Sequence, residues 1–211
     1  MTAIPELLEQ SAARHDHLCP RQVLGVRMGL AGLEAIALRP PVDKTRALII
    51  VETDGCFVDG IEVATGVTVG HRSLRIVDLG KIAATFVNLS SRRSIRLSPR
   101  TGIRTLASVY APEAAERYAA QLSGYAIMPN EELFVTSEVA LRPGLEELLS
   151  RPDARSACSQ CGEEIINERQ VVQGEVILCR ACAGMGYYVG YVDAHAGQTG
   201  VAKAPGNLNG G

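Results

Sequence analysis

The chain has 211 residues, 46 % hydrophobic and 4 % aromatic with no tryptophan, and a formal net charge of −2. This length suits one medium domain with a small companion, and the core it can build is aliphatic. A near-neutral balance supplies no global field for nucleic acid or an anionic membrane, and no run of about 18 apolar residues is available to span a bilayer.

The N-terminus, Met1-Thr-Ala-Ile-Pro-Glu6, lacks the basic and long apolar regions of an export signal, so a soluble, cytoplasmic protein is expected. Residues 4–13 predict a short helix with Pro5 in its first turn. A second helix starts at Pro20, with Val23, Val26, Leu30, Leu33 and Ala37 recurring at three- and four-residue steps. Gly25, Gly29 and Gly32 share it at about 1 kcal/mol each relative to alanine. Another backbone is therefore expected to pack closely there, that of a partner chain being one candidate. Pro40-Pro41 ends the helix, and the apolar run 46–52 reads as a buried strand.

Thr53-Asp-Gly55 is a turn, followed by a helix from Cys56 to about Thr65. Residues 74–78, 84–88 and 94–97 read as a meander of short strands. A helix is expected over 101–110 and another over Pro112–Leu122, with proline at its first position and acids in its first turn. A strand over 132–140 and a short helix over 143–150 complete the core. The expected class is α+β, with a mixed or antiparallel sheet, helices and a small C-terminal zinc ribbon. The expected domains are a core over 1–150, the ribbon over 151–192 and a glycine-rich tail over 193–211.

The ribbon rests on Cys158-Ser-Gln-Cys161 and Cys179-Arg-Ala-Cys182, two C-x-x-C pairs with seventeen residues between them. Each pair sets two thiols on one tight turn, and the run 163–177 reads as a hairpin that folds one pair onto the other. Four converging thiolates match a closed structural Zn²⁺ site, and this spacing is a strong signal. Disulfides or idle thiols are the alternatives, and the absence of an export signal disfavours the first. Between Arg151 and Gly211 six acids oppose five basic residues, which is a poor source of counterion release for phosphates. The ribbon is therefore expected to contact protein or stabilise a dimer rather than read nucleic acid. Tyr187, Tyr188 and Tyr191 after the last pair are expected to pack on the core.

Two further cysteines need their own account. His15-Asp-His17-Leu-Cys19 gathers two imidazoles and a thiol just before a helix, and Cys56 stands at the start of another. Helix N-termini favour thiolates. If the two segments meet, Cys19, Cys56 and one histidine form a three-ligand site with an open position, the pattern of catalytic zinc. The other histidine can then serve as fourth ligand or base. Two buried thiols with surface histidines, or a thiol–disulfide pair, are the alternatives.

These segments also carry a resemblance. His15-Asp-His-Leu-Cys-Pro20, Asp54-Gly-Cys-Phe-Val-Asp59, Thr65-Gly-Val-Thr-Val-Gly70 and Asp78-Leu-Gly-Lys81 resemble the successive motifs of the FmdE family, which takes its name from a component of formylmethanofuran dehydrogenase. The resemblance covers roughly residues 10–150, and some members carry a similar ribbon. It implies an α+β core, intertwined dimers, and a second divalent metal held by His17, Cys19 and Cys56, with His15 as a further candidate. The chain departs from the pattern at Val67, where many relatives have cysteine, and at His71, where a lysine is common.

The function expected is metal binding, for handling or sensing, by a homodimer. A metal-dependent enzyme using His15, Asp54 or Lys81 for proton transfer is one alternative, and a ribbon adaptor for protein or nucleic acid is another. The loop Gly66–Gly70 lacks the ending of a P-loop. Arg92, Arg93, Arg96, Arg100 and Arg104 lie within thirteen residues, and a solvated face is expected there rather than an anion site.

Overall fold

The computed structural model describes residues 3–15, 17–149 and 151–188. The chain divides into two compact units, Met1–Leu145 and Glu146–Gly211. Tyr191 and the expected glycine-rich tail lie outside the described residues.

The first unit opens with α1 (Ile4–Ala12) and α2 (Pro20–Ala35), each with proline at the start. Then follow β1 (Ala47–Val51), α3 (Cys56–Thr65), β2 (Leu74–Ile76), β3 (Ala84–Asn88) and β4 (Ser94–Pro99). The helices α4 (Ile103–Tyr110), α5 (Arg117–Ile127) and α6 (Asn130–Leu133) lead into β5 (Phe134–Glu138). The five strands form one sheet in the order β2-β1-β3-β4-β5. β2 runs parallel to β1, and every other pairing is antiparallel.

This corrects the expected meander: β2 lies on the far side of β1 and does not pair with β3. A parallel return needs a crossover, and α3 supplies it. β3, central and buried at all five positions, is apolar except for Thr85 and Asn88. The main core is aliphatic, as the composition dictates, with Phe57, Phe86, Phe134 and Tyr125 as its aromatic members.

The glycines of α2 meet this chain itself, not a partner, and Gly25 meets the backbone of α3 at Phe57, Gly60 and Ile61. A methyl on Gly60 of α3 would lie 2.7 Å from Val26 N and 2.9 Å from Gly25 Cα, and Gly32 is covered by the Phe86 ring. The two helices are thus packed backbone to backbone. Gln22, fully buried, ties in α1 by donating from Nε2 to the Ser11 carbonyl at 2.7 Å.

The expected helix over Pro112–Leu122 is displaced. α5 begins five residues later, at Arg117, and runs to Ile127. The proline and first-turn acids signal a start, but burial decides the span. Ala120, Gly124 and Tyr125 are the buried positions, and Gly124 packs against Ala107 of α4. Arg27 of α2 then closes the C-terminus of α5. Its guanidinium donates to the carbonyls of Tyr125, Ala126 and Met128 and to Asn130 Oδ1, at 2.6–2.8 Å. These are groups the helix cannot satisfy itself.

The division between units falls at α7 (Leu145–Leu148), whose open carbonyls, with that of Leu149, accept from Arg169. The second unit then contains two hairpins: β6 (Arg155–Ala157) with β7 (Glu164–Ile166), and β8 (Val171–Gln173) with β9 (Val176–Leu178). A short helical turn, Ala181–Met185, ends the described part. The single hairpin expected over 163–177 is therefore replaced by two, each carrying one cysteine pair. Their turns use positive φ at Gly162 and Gly174.

Candidate metal centre

Cys158 and Cys161 flank the turn after β6, and Cys179 and Cys182 flank the turn after β9. The four Sγ atoms lie within 4.8 Å of one another, with Cys161 Sγ and Cys179 Sγ 4.0 Å apart. Four thiolates around Zn²⁺ at about 2.3 Å stand about 3.8 Å apart, so the set accepts a zinc-sized ion after small contraction. Backbone amides already point at the sulfurs: Cys179 N–H donates to Cys158 Sγ at 3.2 Å and Cys182 N–H to Cys179 Sγ at 3.3 Å.

The thiols are unequal. Burial pushes the Cys158 thiol up, but the N–H groups of Cys161, Cys179 and Gln160 outweigh it and bring the thiol down to about 6. Cys182 is driven well above its ordinary value by burial and by the three neighbouring sulfurs. Four thiolates do not coexist here without a cation, and a divalent ion supplies what the site lacks. Among the described residues only Ile165 and Leu178 join Cys158 in this cluster as buried apolar residues. So small a core does not hold a fold alone.

In the first unit the structure brings Cys19 and Cys56 together. Cys19 is the residue before α2 and Cys56 the first residue of α3, and the Cys19 thiol is a neighbour that acts on Cys56. The close α2–α3 packing makes this possible. Cys19 is held by its N–H donating to Gln22 Oε1 at 2.8 Å. Cys56 follows Gly55, whose φ of +78° with ψ of −158° suits glycine alone. Burial and the neighbouring Cys19 thiol raise the Cys56 thiol above its ordinary value, which outweighs the helix N-terminus.

His15 is tied to the helix that Cys56 heads. Its Nε2 meets Asp59 Oδ2 at 2.6 Å, and Asp59 sits one turn along α3 from Cys56. Arg14 anchors the same face through Glu62 at 2.6 Å. A carboxylate fixing one imidazole nitrogen leaves the other oriented for a ligand or proton, as around many metal ions. His17 is exposed, and among the described residues no three donors of this region gather within the 4.8 Å that unites the four ribbon cysteines.

Residues 14–152 match the family model described as FmdE, molybdenum formylmethanofuran dehydrogenase operon. The chain belongs to the FmdE family. An Archaeoglobus fulgidus protein described as a probable S-adenosyl-L-methionine-binding protein is 31 % identical over 208 residues, covering 88 % of this chain and 55 % of that protein. The present chain thus spans about half the length of that relative. The crystal structure of an FmdE-like protein of the tungsten formylmethanofuran dehydrogenase type, from Syntrophus aciditrophicus, matches with a TM-score of 0.55 at 21 % identity. It covers 90 % of this chain and 100 % of that one, and the likeness is one of fold.

The other FmdE motif positions are dispersed. Val67 packs in the main core, so the place where many relatives carry cysteine holds an aliphatic contact. His71, Asp54 and Lys81 are exposed. Of the arginine run, Arg96 is engaged in a two-pronged pair with Glu52, both bonds at 2.6 Å, and Arg100 Nε donates to the Glu131 carbonyl at 2.6 Å. Tyr187 is 100 % and Tyr188 45 % exposed, and they stack edge-on at 5.1 Å, so the expected packing of the ribbon tyrosines fails for both. Asp59, which fixes His15, is a residue that the sequence reading does not single out. Its signal is three-residue spacing from Cys56 on a helix, which puts both on the same face. No helix among the described residues is long and apolar enough to cross a membrane.

Proposed function

We propose that this FmdE-family protein is a two-site metal-binding homodimer. A structural Zn²⁺ is held by Cys158, Cys161, Cys179 and Cys182. A second divalent ion is held in the core by Cys19, Cys56 and a histidine, His17 or His15. The observation that carries the reading is the convergence of the four ribbon sulfurs within 4.8 Å. For the core it is supported by two neighbouring thiols at the heads of adjacent helices. The ribbon zinc contributes folding free energy directly. The core ion keeps an accessible position, which suits handling or sensing of metal.

Metal analysis of the purified protein tests this: two equivalents per chain, falling to one in the Cys19→Ser/Cys56→Ser variant. One equivalent in both proteins removes the core site. Sedimentation of the zinc-loaded chain tests the dimer.

A second reading, a metal-dependent enzyme, is favoured by the His15–Asp59 pair, which gives a base a fixed orientation on the helix that Cys56 heads. Any core ion would supply Lewis acidity there, while His15 takes the proton. The relative's printed name makes S-adenosyl-L-methionine one compound to offer in a binding titration.

A further inference from the structure

A cavity lies in the first unit, with no cysteine in its walls. Its volume is about 340 Å³, and its walls include Leu24, Ile82, Tyr125, Arg100, Arg104 and Arg117. That is within the size range of small-ligand pockets, roughly 300–1,000 Å³, and has their usual make-up of apolar walls with a few convergent polar groups. The start of α4 also lines it: Gly102, at φ +85°, turns the chain so that Ile103 begins the helix there. The positive end of an eight-residue helix thus adds to the three guanidinium groups.

Two observations mark this as more than a solvated face. Arg104 and Arg117 come from different helices, yet neither has a carboxylate within ion-pair distance among the described residues. Arg100 is positioned by its bond to the Glu131 carbonyl, which leaves its terminal nitrogens for another partner. The second observation is Tyr125. It is only 2 % exposed, its ring belongs to the main core, and its hydroxyl has no hydrogen-bond partner among the described residues. Burial raises this hydroxyl above its ordinary value while the charges of Arg104 and Arg117 oppose that, so the phenol stays a donor on the cavity that both arginines line. The hydroxyl is open to the cavity's solvent, where an entering ligand can take its hydrogen bond.

We propose that this cavity binds a small organic phosphate, its oxyanion held by Arg100, Arg104, Arg117 and the Tyr125 hydroxyl and its body resting on Leu24 and Ile82. Three arginine charges and a helix N-terminus match a dianion better than a single carboxylate, and guanidinium groups pair with phosphate oxygens in two-pronged fashion. The assignment stands independently of the metal centres.

Titration calorimetry of the full-length, zinc-loaded chain tests it, with phenyl phosphate, inorganic phosphate, benzoate and phenol as probes. Phenyl phosphate is expected to bind saturably, more tightly than benzoate or phenol, and to weaken as salt is raised. The Arg104→Gln/Arg117→Gln variant is expected to lose roughly tenfold or more in affinity. Both arginines are exposed residues, so the fold is unaffected. Tyr125→Phe, which keeps the ring in the core, is expected to lose severalfold with its melting temperature held or raised. Absence of saturable phenyl phosphate binding at millimolar concentration, or equal affinity in the double arginine variant, overturns the site. Benzoate binding as tightly as phenyl phosphate overturns the choice of phosphate.

Discussion

Replacing Gly60 by alanine tests the contact that sets Cys19 beside Cys56. The new methyl would stand 2.7 Å from Val26 N and 2.9 Å from Gly25 Cα, against 3.4–4 Å for ordinary van der Waals contact. The obstructing atoms are backbone, so no side-chain rotation relieves them, and α2 and α3 must part by about 0.5–1 Å at the crossing. Against backbone atoms the overpacking cost falls in the upper part of its usual range, about 2–3 kcal/mol. Alanine recovers about 1 kcal/mol of helix propensity, which leaves a net loss of roughly 1–2 kcal/mol. Thermal unfolding should show this as a drop of roughly 2–8 °C for a unit of this size. Gly70→Ala is the control: nothing lies within 4 Å of its added methyl, and a change of under about 0.5 kcal/mol is expected. A second readout is chemical. The Cys19 thiol helps hold Cys56 above its ordinary value, so parting the helices moves the onset of Cys56 alkylation to lower pH in metal-free protein. Gly60→Ala as stable as the parent, with an unchanged alkylation profile, would refute the backbone-to-backbone contact.

Arg27→Met keeps the aliphatic stem but leaves three carbonyls and the Asn130 amide without their donor. Burial holds the Arg27 guanidinium below its ordinary value, so relief of that desolvation offsets part of the loss, and about 2–4 kcal/mol is expected in urea unfolding. An unchanged midpoint would mean that the charge gains nothing from its four bonds. Cys161→Ser, or a strong chelator, is expected to open the second unit while the first stays folded; limited proteolysis should then cut between Arg155 and Cys182 and spare residues up to Leu145. A resistant ribbon after chelation would show that the thiols hold it without metal. Glu52→Gln removes the charge from a two-pronged pair that joins β4 to the residue after β1. The side chains are partly buried, and a loss of about 1–3 kcal/mol by thermal unfolding is expected; no loss would place that pair with ordinary surface salt bridges.

The parts legible in the sequence are those whose physics is local. Two C-x-x-C turns need only their own residues to present paired thiols, so the ribbon cluster is readable without any knowledge of the fold. Pro20, the Asp54-Gly55 turn and the apolar run at 47–51 are likewise local, and α2, α3 and β1 stand where their residues place them. The proline and acids at 112–116 are also local signals, yet the helix follows Gly124 and Tyr125, whose burial against α4 and the core outweighs a favourable N-terminus. What only the tertiary structure decided depends on segments far apart in the chain. That β2 pairs with β1, that Gly25 and Gly29 of α2 meet α3, and that Asp59 of α3 holds His15 are matters of long-range packing. So is the assembly of Arg100, Arg104, Arg117 and Tyr125 around one cavity. Residue spacing encodes which atoms share a turn; which turns share a site is set by how the buried faces fit, and that is a property of the whole core.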